Sequence, residues 1–229
     1  MVTLLKRIDM RKEIPMLYST PMVQAILRDV ETKTKTRRTT RLDKISPKAT
    51  EIVRSDQWKK KGDWIARFEI EPGRYEATNI IRCPYGKSGD LLWVRETWAS
   101  NNLPSLNGGQ TFYKADEQYG PYNGMKWKPS IHMPKKAARI WLEVVSVNVE
   151  RLQNITEEDA NAEGVLLMQK DGAGSAYKDY TGKMLCLTSA RDSFESLWRS
   201  INNDPKKPNT HWDANPWVWV VEFKKVEKP

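Results

Sequence analysis

The longest strand signal in the chain runs from Arg139 to Val149, and apolar residues fall on both parities of it. Ile140, Leu142 and Val144 share one face, while Trp141, Val145, Val147 and Val149 lie mostly on the other. Side chains alternate between the faces of a sheet, so this strand is expected to be covered on both sides. Leu91-Leu92-Trp93-Val94-Arg95, opened by the Gly89-Asp90 turn, predicts a second buried strand. Trp217-Val218-Trp219-Val220-Val221-Glu222-Phe223 predicts a third. A chain of 229 residues built around such strands has ample length for one domain with a core.

Helices are fewer. Thr20 followed by Pro21 reads as an N-cap with proline at the first helical position, and Val23, Ile26, Leu27 and Val30 recur at helical spacing. The expected helix of about ten residues delivers Lys33-Thr34-Lys35-Thr36-Arg37-Arg38, whose alternation of basic residues with threonines suits a strand. Residues 155–165 predict a two-turn helix with Thr156 and Asp159 at capping-box spacing and Gly164 at its end. Ser189 is placed to cap a last helix, with Phe194, Leu197, Trp198 and Ile201 on its core face. Between these elements, Trp64 to Ile70 and Tyr75 to Ile81 form a candidate hairpin around Glu71-Pro72-Gly73. Residues 99–135 and 166–188 read as loops, and segments of that length are functional or mobile.

The charge is unevenly spread. Of a net +9, the stretch from Arg28 to Lys61 holds twelve basic and five acidic residues, or +7. Such a stripe either binds phosphates by displacing counterions or is a solvated face. Of ten tryptophans, Trp93, Trp217 and Trp219 fall in strand-like runs and are expected in the core. Trp58, Trp64, Trp127 and Trp212 have polar neighbours and are the better candidates for stacking on bases. Cys83 and Cys186 stand apart and belong to no Cys-x-x-Cys pair, which points to a reducing, cytoplasmic setting. The mixed charges from Met1 to Tyr18 argue against a signal peptide, and no apolar run is long enough to span a membrane. His132 and His211 have no evident third partner, so neither a metal nor another cofactor is expected. A glutamate at a helix C-terminus opposes the macrodipole, so Glu163 should have a cationic partner.

Four pieces in this order resemble the ASCH family, whose domains are similar in fold to PUA domains: Lys33 to Arg38, Ser88 to Trp98, Ile155 to Gly164, and Trp217 to Phe223. Trp127-Lys128-Pro129-Ser130-Ile131-His132-Met133-Pro134 adds a likeness to the larger phage and prophage members. The resemblance implies an α+β fold, a PUA-like mixed β-barrel flanked by short helices. It implies one domain over residues 1–229, with core segments at about 14–42, 83–98, 137–165 and 189–223 and insertions at about 43–82, 99–136 and 166–188.

For function, the resemblance implies binding of RNA, of another single-stranded nucleic acid or of a modified nucleoside. Some family members are thought to be ribonucleases. One small bacterial branch removes the acetyl group of acetylcytidine with a lysine, a threonine and a glutamate, which fall on Lys33, Thr36 and Glu163 here. Lys35, Arg37, Arg38, Arg41, Glu96, Trp98, Trp127 and Lys128 are the accompanying candidates for contacts to a nucleic acid or substrate. Glu96 is equally suited to pairing with an arginine. Amide hydrolysis needs a nucleophile, a base and a donor for the leaving amine, and Lys33 acts as a base only with a lowered pKa. Three-residue spacing puts Lys33 and Thr36 on opposite faces of a regular strand, so they converge only if Lys33 precedes the strand or a bulge intervenes.

Overall fold

The computed structural model describes residues 11–28, 33–45, 49–55, 63–77, 80–100, 110–116, 125–171 and 174–229. In chain order these form β1 (Glu13–Leu17), α1 (Thr20–Leu27), β2 (Lys35–Arg38), β3 (Glu51–Ser55), β4 (Asp63–Glu71), β5 (Arg74–Ala77), β6 (Leu91–Arg95), β7 (Trp98–Ser100) and β8 (Thr111–Tyr113). There follow β9 (Trp141–Arg151), α2 (Glu157–Ala162), β10 (Leu167–Asp171), β11 (Gly174–Tyr177), α3 (Ala190–Ile201) and β12 (Trp217–Val226). The architecture is mixed and rich in strands.

Five strands make the main sheet in the order β1-β6-β9-β12-β2, with β1 parallel to β6 and the other neighbours antiparallel. The sheet is open, with β1 and β2 at its edges and no backbone pairing between them, so the barrel implied by the resemblance does not close among the described residues. The edges still approach each other, since the Arg38 guanidinium donates to the Leu17 carbonyl at 2.8 Å.

The pattern of β9 has a cause other than cover on both faces. Opposite Glu222 and Phe223 of β12 stand Ser146 and Val144, so Val145 is the extra residue of a bulge. An extra residue swaps the parity of everything beyond it. Leu142 and Val144 before it, and Val147 and Val149 after it, therefore all pack on the same large core, while Val145 is exposed. Only Trp141 is buried on the far side, in a small cluster with Leu91, Trp93 and Ala138.

Several other expectations are corrected. The N-cap of α1 is Ser19, without a side-chain bond, and Thr20 is already helical; Val30 lies outside the described residues. Residues 166–188 contain the β10-β11 hairpin, and the segment 99–135 contains β8 together with the end of β7. Ile201, at the last turn of α3, is half exposed. Trp64 and Trp212 are buried in the main core rather than free to stack on bases, and Trp58 lies outside the described residues. The hairpin around Pro72-Gly73 forms as β4 and β5 and, with β3, builds a separate three-stranded sheet. No described helix is long and apolar enough to cross a membrane.

Candidate functional site

The candidate site lies at the free edge of β2. Because Thr36 and Arg38 pair with Val221 and Trp219 of β12, their side chains point to the core face, whereas Lys35 and Arg37 point to the other. The second set meets α2. Thr156 caps that helix by accepting from the Asp159 N–H at 3.1 Å, which orients Asp159, and the helix stops at Gly164 with φ +84°. The Thr34 N–H then donates to the Ala162 carbonyl at 2.8 Å, and Lys33 bridges Glu163, so the end of α2 is fastened to the start of β2. Lys33 thus precedes the regular strand, as its convergence with Thr36 requires.

Glu163 is buried between two cations. One carboxylate oxygen accepts from Lys33 Nζ at 3.2 Å and the other from Arg37 at 3.2 Å. Arg37, wholly buried, also reaches Glu150 at 3.0 Å and Asp159 at 2.6 Å, while Lys35 takes the second Asp159 oxygen at 2.6 Å. Burial opposes the Arg37 charge, but Glu163 and Glu150 outweigh it and raise its pKa. Asp159 pays a burial cost that its bonds to Lys35 and Arg37 reverse, so its pKa is lowered.

Lys33 is different. Its ammonium donates to the Glu163 carbonyl at 2.7 Å and the Lys35 carbonyl at 2.9 Å besides the Glu163 carboxylate. Burial still dominates, aided by Arg38 and Arg37 and opposed by Glu163, and brings its pKa down to about 8.

Lys33, Thr36, Arg37, Arg38 and Glu163 line one cavity of about 220 Å³. Its opposite wall is apolar and aromatic: Met22 of α1 with Phe194, Leu197 and Trp198 of α3. Ligand pockets for drug-sized molecules run to about 300–1,000 Å³, so this one has room only for a smaller, compact ligand. Arrayed around it are a hydroxyl, a lysine poised to lose its proton near neutral pH, a buried carboxylate and flat rings.

The remaining candidates lie elsewhere. Glu96 is almost fully buried and forms a two-pronged pair with Arg139 at 2.9 and 3.0 Å, the structural arginine pairing weighed from sequence. Burial raises its pKa despite that partner. Trp98 is buried with Lys128 Nζ 4.7 Å from its ring centre, and Trp127 is half-buried. None of these lines the cavity. Arg41 is exposed, has positive φ and donates to the Arg82 carbonyl. Of the basic stripe, then, Lys35, Arg37, Arg38 and Arg41 all have internal partners. Sequence reasoning missed Glu150, whose position carries no local motif. It assigned Phe194, Leu197 and Trp198 to the core alone, although their helical spacing already put them on one face. Among the described residues no group of three His, Cys, Asp or Glu side chains is placed to hold a metal ion.

Comparison with known proteins gives no match: no family model fits the chain, and no curated protein or solved structure is similar to it.

Proposed function

We propose that this protein is an ASCH-type, PUA-like domain whose cavity takes a modified nucleoside, and that its chemistry is hydrolysis of an acyl amide on the base. The observation that carries the reading is Lys33, a buried lysine with its pKa brought down to about 8, in one cavity with Thr36 and Glu163. In this scheme neutral Lys33 takes the Thr36 hydroxyl proton as the oxygen attacks the acyl carbon. The C–N bond then breaks and Lys33 returns the proton to the leaving amine. Water hydrolyses the acyl-threonine, releasing the acid and restoring the hydroxyl. Glu163 holds the amine in place, and the aromatic wall accepts the face of the base.

The test is incubation with acetylcytidine while cytidine release is followed. Release by the wild type and its loss in Lys33→Ala and Thr36→Ala are expected. No release by the wild type, or undiminished release by Lys33→Ala, removes the reading. A second reading, RNA or single-stranded nucleic acid held by the basic stripe without chemistry, draws on the net +9. The internal partners of Lys35, Arg37, Arg38 and Arg41 leave it less support, and it predicts salt-sensitive binding that Thr36→Ala leaves intact.

A further inference from the structure

Arg38, the last residue of β2, lines the cavity and, among the described residues, pairs with no carboxylate. The other cations of the cavity wall are taken: Lys33 and Arg37 both bond Glu163, and Arg37 also reaches Glu150 and Asp159. Arg38 has neutral partners instead. One of its N–H groups donates to the Leu17 carbonyl at 2.8 Å, and its guanidinium carbon lies 5.1 Å from the centre of the Tyr18 ring. Its other N–H groups have no hydrogen-bond partner among the described residues. Leu17 and Tyr18 form the corner between β1 and α1, so the guanidinium is held in place without being neutralised. Its charge is felt inside the cavity, where it helps to lower the pKa of Lys33. A fixed fork of donors that still carries its charge is what arginine offers to a phosphate.

The residues beside it suit the same ligand. Thr39 and Thr40 also line the cavity. The Thr39 hydroxyl has no partner among the described residues, and the Thr40 hydroxyl accepts from the Tyr85 hydroxyl at 2.8 Å, which leaves its own proton to donate. Arg38 and Thr39 are half-buried and Thr40 is exposed, whereas Phe194, Leu197 and Trp198 of the apolar wall are buried. The donors therefore stand at the mouth, and an anion bound there takes little of the 220 Å³ inside. Resting on the nucleoside reading of the cavity, we propose that its ligand is a nucleotide, whose phosphate monoester is held at the mouth by Arg38 and the hydroxyls of Thr39 and Thr40. Phosphate oxygens only accept at this pH, and these three side chains supply donors that the protein itself leaves unused.

Calorimetric titration with cytidine and with cytidine 5′-monophosphate tests the assignment. The wild type should bind the nucleotide about tenfold to a hundredfold more tightly, the scale of charge-assisted hydrogen bonds from one guanidinium. Raising the salt should shrink that advantage. Arg38→Gln should bring the two ligands within about twofold of each other, and Arg38→Lys, which keeps the charge without the fork, should retain part of the difference. Inorganic phosphate should compete with the nucleotide and leave cytidine binding alone. Equal affinity for the two ligands in the wild type overturns the phosphate site, while the hydrolase reading still stands or falls on release of cytidine from acetylcytidine. An Arg38→Gln protein that weakens both ligands alike, keeping their ratio, shows Arg38 to be only the tie to Leu17 and overturns the site too. Binding of inorganic phosphate but of neither cytidine nor its monophosphate confines the site to the free anion and overturns the nucleotide. A wild type that binds none of these sinks the nucleoside reading and the phosphate site together.

Discussion

Replacing Lys33 with methionine should change how stability depends on pH, and the size of the change follows from its surroundings. Burial takes this lysine from its ordinary 10.5 to about 8 in the folded protein. Below pH 8 both states hold the proton. Between 8 and 10.5 the unfolded chain keeps it while the folded protein gives it up, so the unfolded state binds more protons and stability rises with pH. At pH 9 the folded protein is favoured about tenfold relative to low pH, a gain of about 1.4 kcal/mol. Cys83, pushed up to about 11 by burial, works in the opposite sense, and so do Tyr18 and Tyr85 at higher pH. Comparing wild type with Lys33→Met cancels them, because both proteins contain all three. Urea unfolding of the two at pH 7 and pH 9 should therefore show the wild type gaining about 1.4 kcal/mol on the variant. Parallel behaviour across that interval would mean that Lys33 keeps an ordinary pKa, and its role as a base would fall with it.

Arg37→Met strands Glu163, Glu150 and Asp159 around a buried gap, and removing one partner of a buried ion pair costs about 3–5 kcal/mol, readable as a lower urea midpoint. Arg37→Lys should recover only part of it, because an ammonium lacks the fork that reaches three carboxylates. Gly164→Ala forces a side chain into positive φ and sets its Cβ 2.7 Å from Ala25 Cβ and 2.9 Å from Lys33 Cβ. A loss of at least about 1 kcal/mol by thermal unfolding should accompany a lower rate of acetylcytidine hydrolysis. Glu96→Gln breaks a buried pair outside the cavity, so stability should drop by about 2 kcal/mol while cytidine affinity, followed by calorimetry, stays unchanged.

How much of this was legible in the sequence depended on whether the cause was local. The caps at Thr156 and Ser189, the stop at Gly164 and the turn at Gly73 are set by neighbouring residues, and their elements form where the pattern predicts. β9 shows the opposite case. Its two apolar parities suggested cover on both faces, but the bulge at Val145 depends on its register against β12, a partner far along the chain. β1 has the same difficulty: Glu13-Ile14-Pro15-Met16-Leu17 is short, contains proline and becomes a strand by pairing in parallel with β6. Glu163 was the most informative single residue, since its position against the helix dipole called for a cation and it has two. Which cations they were followed only from the docking of α2 on β2.

The basic stripe shows why a charge count along the chain is a poor map of a charged surface. Lys33 to Arg38 contributes four of the cations that make up the +7 between Arg28 and Lys61, yet Lys33 and Arg37 are buried, Lys35 and Arg38 are half-buried, and all four are bonded within the protein. Lys35 and Arg37 meet Asp159, Glu150 and Glu163, two of the three carboxylates coming from the single short α2 segment and its cap. Lys33 is the exception within that network, because burial costs it more than its one carboxylate returns. The positive charges of Arg38 and Arg37 beside it push the same way. A phosphate-binding strand needs all its cations charged and open to solvent, whereas a general base needs one cation held half-way to neutrality while its strand neighbours, here Lys35 and Arg37, are locked to anions. The arrangement at the edge of β2 meets the second requirement, and it is this division of labour among neighbouring lysines and arginines that makes amide hydrolysis the chemistry to test first.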